Sequence, residues 1–276
     1  MIYLNIIINN SGFTVIERET IIHMDNPIKL PDSVDNAIEK ATDKPATKLG
    51  DIITDIMDLV FGRVELAAEK SRLKRAKELQ LFRDELETKI NEIPEENRIE
   101  PETRTVAQAM EASKYCLDSS EIRNLFENLI TGSMNNSIKD GIHPSFSDAI
   151  KEMSSNDAIL LKVFSHVNTL PVIDLGLKNG VQHIEFYYRN LVLGYNGLSS
   201  EEACLSVAVL ARLGILDIST GIRNLSDLRH YEPFKELGVY KQLELRSFTE
   251  NKELYVSKGI AELTSYGKAF CKVCIR

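Results

Sequence analysis

Two cysteines near the carboxyl terminus have the spacing of groups that do chemistry. Cys271 and Cys274 are separated by two residues, as in a zinc knuckle or a redox pair. Structural zinc needs four ligands, and no second Cys or His pair lies at a matching distance along the sequence. On an amphipathic helix the two thiols share a face near Phe270, so we expect them to be buried apolar cysteines.

The segment around His143 is a second candidate. His143 and Ser145 flank Pro144, and hydrolases use these two side-chain types as base and nucleophile. A triad also needs an oriented carboxylate and an oxyanion hole, and the sequence contains no Gly-x-Ser-x-Gly elbow. We therefore do not expect a hydrolase site here.

Nuclease chemistry needs carboxylates and a lysine that converge at a sheet edge and hold a metal ion. The residues that come closest to this nuclease pattern are Asp32, Glu87 and Lys89. The last two lie in a run with helical period rather than in a strand. The sequence also lacks a phosphate loop, a dinucleotide fingerprint and metal-ligand spacing among its five histidines. We predict no catalytic residue, no metal site and no cofactor, and hence not an enzyme.

The composition is that of an acidic globular protein. Of 276 residues, 33 are basic and 41 acidic, which gives a net charge of −8. This charge disfavours nucleic acid and anionic lipid as partners, although a local basic patch remains compatible with it. The four cysteines are too scattered for a disulfide framework and fit a reducing cytoplasm, where we expect the protein to act.

The first 34 residues form an amino-terminal extension of different character. Residues 2–8 are rich in Ile and Leu and precede the turn residues 9–12, a pattern typical of a hairpin. The segment lacks the basic start and small-residue cleavage site of an export signal. An alternative is that translation begins at Met24.

A long amphipathic helix is predicted after Pro45. Asp51, Asp55 and Asp58 share its polar face, which argues against a membrane span. A helix unbroken from residue 47 to 91 would be about 65–70 Å long, so it must bend at a glycine or find a partner, either the rest of the chain or another copy. Its apolar side chains are the candidate interaction face, consisting of Leu49, Ile52, Ile53, Ile56, Met57 and Val60.

Shorter helices follow through residue 168. Residues 103–116 have helical period, and Asp118 with Glu121 has the form of a capping box for the next helix. Ser154 with Asp157 repeats that form. Short connections between amphipathic helices predict an antiparallel array over residues 35–168.

Several motifs in this region occur together. They are Leu86-x-x-Lys89-Ile90-x-x-Ile93-Pro94-Glu95-Glu96-Asn97, Glu100-Pro101, Leu125-Phe126-x-Asn128-Leu129-Ile130 and His143-Pro144-Ser145-Phe146. With these motifs the chain resembles the Abi-alpha (abortive infection alpha) family over about residues 35–274. This resemblance implies a bacterial protein connected with abortive phage infection, whose domain has no settled biochemical activity and supplies no catalytic residues.

The last part, residues 169–276, mixes helix and strand signals. Ser199 and Glu202 form a capping box for an apolar helix that Gly214 ends. Strands are predicted at residues 172–175 and 215–218, with a pair at 254–257 and 260–264, before a final helix. The order resembles a winged-helix module and also the carboxyl terminus of the same family.

We therefore predict a mainly α protein: an extended helical amino-terminal region and a helical array, followed by a winged-helix-like α+β domain. Antiphage defence through protein–protein interaction or self-assembly is the leading function. One alternative is a winged-helix regulator that binds DNA through Arg212 and Lys241, although acidic residues on its helix oppose this. Another is a membrane-perturbing effector in which residues 49–61 insert.

Overall fold

The computed structural model describes residues 7–9, 12–14, 49–61, 69–180, 183–193 and 197–276. In its first part, strands β1 (Ile7–Asn9) and β2 (Gly12–Thr14) pair antiparallel as a hairpin, as the sequence predicts. Six helices follow: α1 (Leu49–Phe61), α2 (Glu69–Asn91), α3 (Thr103–Ser113), α4 (Ser120–Ser133), α5 (Phe146–Lys151) and α6 (Ser155–Val167).

The second part alternates strands and helices. Its elements are β3 (Thr169–Asn179), β4 (His183–Leu191), α7 (Ser200–Arg212), β5 (Leu216–Thr220), a 3₁₀ helix (Leu228–Glu236), α8 (Gly238–Thr249), β6 (Glu253–Leu263) and α9 (Ser265–Cys274). The four strands form one antiparallel sheet in the order β4-β3-β6-β5. A largely helical protein that ends in a mixed α and β part is confirmed, while the winged-helix assignment stays a prediction.

The long helix predicted for residues 47–91 consists of two helices that pack against each other. Arg83 on α2 donates to the Asp58 carboxylate on α1 at 2.9 Å. In one straight helix these residues would be about 37 Å apart, so α1 and α2 must fold back on each other. The stretch 62–68, with the predicted bend at Gly62, lies outside the described residues.

The capping signals place most helix starts correctly. The predicted boxes at Ser154 and Ser199 are both present, each with its acidic partner bonded back to the backbone of the serine. The box predicted at Asp118 is wrong by one residue. Ser119 is the cap, because its short hydroxyl accepts from the backbone N–H of Ile122 at 3.2 Å.

The strand pair predicted at residues 254–264 is also wrong, because β6 is one continuous strand. Gly259 lies inside this strand. A Cβ atom there would come within 2.4 Å of the Ser219 carbonyl oxygen on β5. The glycine therefore permits close approach of two strands rather than a reversal of the chain.

The sheet separates two hydrophobic cores. Leu170 and Val172 point from β3 into the main core among the helices, whereas Ile173, Leu175 and Leu177 point into a smaller core beneath α8 and the 3₁₀ helix. Alternate residues of a strand face opposite sides, so a strand covered on both sides reads as a nearly continuous apolar run. The main core also crosses the boundary predicted at residue 168 and contains residues from Ile53 to Cys274.

Helix α9 returns from the sheet into the helical part. Phe270 packs edge-on against Phe146 of α5, with ring centroids 5.1 Å apart. The side-chain amide of Asn128 on α4 donates to the Cys274 carbonyl oxygen at 2.8 Å. The last helix thus joins parts of the chain that are far apart in sequence.

The start of α9 is tightly fitted to the chain after α7. Thr264 caps the helix by accepting from the Gly267 N–H at 2.9 Å, and its hydroxyl donates to the Gly214 carbonyl oxygen at 2.6 Å. A Cβ atom on Gly267 would lie 2.2 Å from the Ile215 carbonyl oxygen. Only glycine fits at this contact without moving backbone.

We predict that Gly267→Ala lowers the free energy of unfolding by about 1–3 kcal/mol, since the methyl group must displace backbone. Urea denaturation measures this change. Gly238→Ala is the matched control, because a Cβ atom at Gly238 meets nothing within 4 Å. Equal stability of the two variants would show that the contact at Gly267 is unimportant.

Candidate functional site

Most of the predicted interaction face lies in the interior. Ile53, Ile56, Met57 and Val60 are buried in the main core. The side chains of Leu49 and Ile52 lie outside the described part of the structure. The described part of this face is therefore covered by the rest of the chain. No helix among the described residues is long and apolar enough to span a membrane.

His143 and Ser145 are brought together with a third side chain, Tyr266. His143 Nδ1 lies 2.7 Å from Ser145 Oγ, which lies 2.9 Å from the Tyr266 hydroxyl. Because the Ser145 N–H donates to Nδ1 at 3.2 Å, this nitrogen is an acceptor and the Ser145 hydroxyl donates to it. None of the hydrogen bonds described joins a carboxylate to the imidazole. These hydrogen bonds stabilise a turn that leads into α5, and they connect this turn to α9.

The two terminal cysteines are buried thiols. Cys271 and Cys274 lie in the main core, and both are unpaired. Burial raises the pKa of Cys271 to about 12, so its reactive thiolate form is rare at neutral pH. Within the described residues there is no group of three or more His, Cys, Asp or Glu side chains able to hold a metal ion.

A buried ionic cluster between α2 and α4 was not predicted from the sequence. Arg123 binds both carboxylate oxygens of Glu85, at 2.6 and 3.1 Å. Lys89 pairs with Glu127 at 2.8 Å and donates to Asn128 at 2.8 Å. The sequence signal for this cluster is the spacing of Arg123 and Glu127. These opposite charges lie one turn apart on a helix whose other positions are largely apolar.

Glu127 has the most perturbed carboxyl group in this cluster. Its pKa is raised to about 7, first because burial penalises the charged form and then because Glu85 is close. The ion pair with Lys89 acts in the opposite direction but is outweighed. Arg123 lowers the pKa of Glu85. A carboxyl group that titrates near neutrality suits acid–base chemistry, but Glu127 is only 2% exposed, so its carboxyl group is closed to a substrate.

We predict that Glu127→Gln becomes more stable relative to the unmodified protein as pH rises from 5 to 8, by about 2–3 kcal/mol. The pKa of Glu127 in the folded state is above the ordinary value of 4.5, so its stabilising contribution falls as pH rises through this window. The ion pair with Lys89 forms only when Glu127 is ionised, and its effect is already contained in this pKa. Urea denaturation at several pH values measures the difference.

The exposed Glu87 on α2, outside the cluster, provides the control. Glu87→Gln should leave the pH dependence as it is in the unmodified protein. If Glu127→Gln also leaves it unchanged, Glu127 is ionised normally in the folded state and the account of the cluster is wrong.

Helix α8 presents apolar side chains to solvent. Its inner face, with Tyr240 and Leu243, packs in the smaller core. On the outer face Leu245 is 66% exposed and Phe248 is 78% exposed. Single exposed apolar residues are common, but two large ones within a turn on one helix form a small patch of the kind that contacts other proteins. We call Leu245 and Phe248 the α8 patch.

The described structure defines an α+β protein with an apolar surface patch and a closed ionic cluster. A family model described as abortive infection alpha matches residues 74–274. This match covers well over half of the chain, so the protein belongs to the abortive infection alpha family, as its motifs predict, although the match begins later than residue 35. No curated protein and no solved structure matches the chain. Family membership points to a role in antiphage defence by abortive infection.

Proposed function

We propose that this protein acts in antiphage defence by binding, through protein–protein contacts or self-assembly, with the α8 patch as the contact surface. The observation that carries the proposal is the exposure of Leu245 and Phe248 on a helix whose other face is fixed in a core. Burying both side chains at an interface would contribute about 3–6 kcal/mol before the cost of association.

The patch is held in a defined position, which favours binding. Arg246 of α8 lies over the Tyr187 ring of β4 at 4.9 Å, and Lys241 pairs with Glu236 of the 3₁₀ helix at 2.6 Å. Ordering side chains costs entropy during association, and a helix already anchored on both sides loses less. These charged neighbours would form a polar rim around an apolar centre.

The two alternatives receive less support from the same contacts. Arg212 pairs with Glu152 at 2.6 Å, and Lys241 pairs with Glu236, so the two cations proposed to contact DNA are each neutralised by a carboxylate. Membrane insertion of α1 would require Ile53 and Ile56 to leave the main core. Exposing two such side chains costs about 3–6 kcal/mol.

We predict that Leu245→Asp reduces protection in a phage plating assay by more than about tenfold, since a charge at the centre of an interface is strongly unfavourable. Leu205→Asp is the matched control, because Leu205 on α7 is also a helical leucine with 66% exposure. The control should retain protection. Light scattering of both purified variants separates self-assembly from a contact with another protein.

Loss of protection by both variants, or by neither, would contradict a specific role for the α8 patch. Circular dichroism of each variant is needed beside the plating assay. The substitutions are at exposed positions, so we expect changes in stability within about 0.5 kcal/mol.

A further inference from the structure

A cavity of about 460 Å³ lies on the sheet face that carries the smaller core. It is lined by β6, by the chain that follows β5 and by the 3₁₀ helix with the start of α8. Small-molecule sites have volumes of roughly 300–1,000 Å³, so this cavity is large enough for a compact organic ligand. It is separate from the α8 patch, which lies on the outer side of the same helix.

The charged side chains that line the cavity are mostly basic. Arg223, Lys235 and Lys258 come from three different elements, whereas Glu232 is the only acidic side chain among the described lining residues. The chain as a whole has a net charge of −8, so this excess of cations is local. A concave site lined by one sign of charge raises the local concentration of ligands with the opposite charge.

The three cations differ in how they are neutralised. Arg223 pairs with Glu262 at 2.6 Å, and Lys235 pairs with Glu232 at 2.7 Å. Lys258 has no carboxylate within 4 Å among the described residues, and its ammonium group lies 5.3 Å from the centroid of the Tyr231 ring. Lys258 therefore has the charge most readily available to an anionic ligand.

The floor of the cavity is aromatic and rigid. Tyr231 and Phe234 are stacked with ring centroids 6.3 Å apart, and both are buried. The Tyr231 hydroxyl donates to the Gly259 carbonyl oxygen at 2.7 Å and accepts from the Leu225 N–H at 3.0 Å. These bonds fix the ring before any ligand arrives, which reduces the entropy that binding would cost.

We propose that this cavity binds a small organic phosphate with an apolar portion. Lys258 contacts the phosphate, and the apolar portion lies against the exposed side chain of Ile222. Arg223 and Lys235 are each paired with a carboxylate, so the charge that attracts the phosphate comes mainly from Lys258. The inference does not depend on the proposed role of the α8 patch.

Phenyl phosphate is the probe, and isothermal titration of the full-length protein is the measurement. Phenol and inorganic phosphate are titrated separately as controls, because each represents one half of the probe. We expect saturable binding of phenyl phosphate, with each half binding more than about tenfold more weakly. Absence of saturable binding, or equal affinity for either half, overturns the proposal.

Lys258→Met keeps much of the apolar stem over Tyr231 while removing the charge. This variant should weaken phenyl phosphate binding by about tenfold or more, as expected for the loss of a charge-assisted hydrogen bond. Lys272→Met makes the same change at an exposed position on α9 away from the cavity and should bind normally. Equal effects of the two variants overturn the role of Lys258.

A second variant, Lys235→Met, covers the case in which Lys258→Met does not fold. Lys235 is exposed on the 3₁₀ helix, so its replacement should leave the fold intact. Binding of phenyl phosphate should weaken by about threefold or more, because Glu232 loses its partner and repels the phosphate. Unchanged affinity in this variant counts against a cationic site.

Discussion

The packing of α9 into the helical part of the molecule is the contact on which the rest of the structure depends. This helix begins where the sheet ends and carries Phe270 into the core beside Phe146. A fully buried phenylalanine contributes roughly 1.5–3 kcal/mol to the free energy of unfolding. The hydrogen bond from Asn128 to the Cys274 carbonyl oxygen adds a direct polar contact. Together with the packing of α6 against α7 and the sheet, these contacts join the helical part and the sheet in one core.

The packing of α9 into the helical part explains why the α8 patch and the cavity can have fixed positions. The sheet is covered on one face by the main core and on the other by α8 and the 3₁₀ helix. The α8 patch and the cavity beside Lys258 lie on opposite sides of the α8 layer. A rigid layer allows each surface to bind without a large loss of conformational entropy. The proposed binding role depends on these fixed positions.

The sequence predicts local features well because their causes are local. Serine caps such as Ser154 and Ser199 act over three residues, and Gly214 ends α7 with a positive φ of 73°. The sequence divides β6 in two, because the close approach of Gly259 to Ser219 depends on a different strand. Short-range patterns do not reveal which strand will lie opposite a glycine.

The candidate site was harder to predict, for the same reason. The apolar face of α1 was correctly identified, but only tertiary structure shows that Ile53 and Val60 are covered by the chain itself. The cavity combines Arg223, Lys235 and Lys258 from three elements, and no motif records their convergence. Helix α8 begins after Leu237 without a side-chain cap, so the sequence gives little signal for the helix that carries the exposed patch.

The central structural claim is that α9 makes the described chain from α2 onward one cooperative unit, although the sequence suggests a division at residue 168. Native-state hydrogen exchange of the backbone amides of α4, β6 and α9 tests this claim most directly. Shared packing predicts that the slowest amides of all three elements open in one transition with the same free energy. Opening of residues 169–276 at a clearly lower free energy than α4 would contradict it.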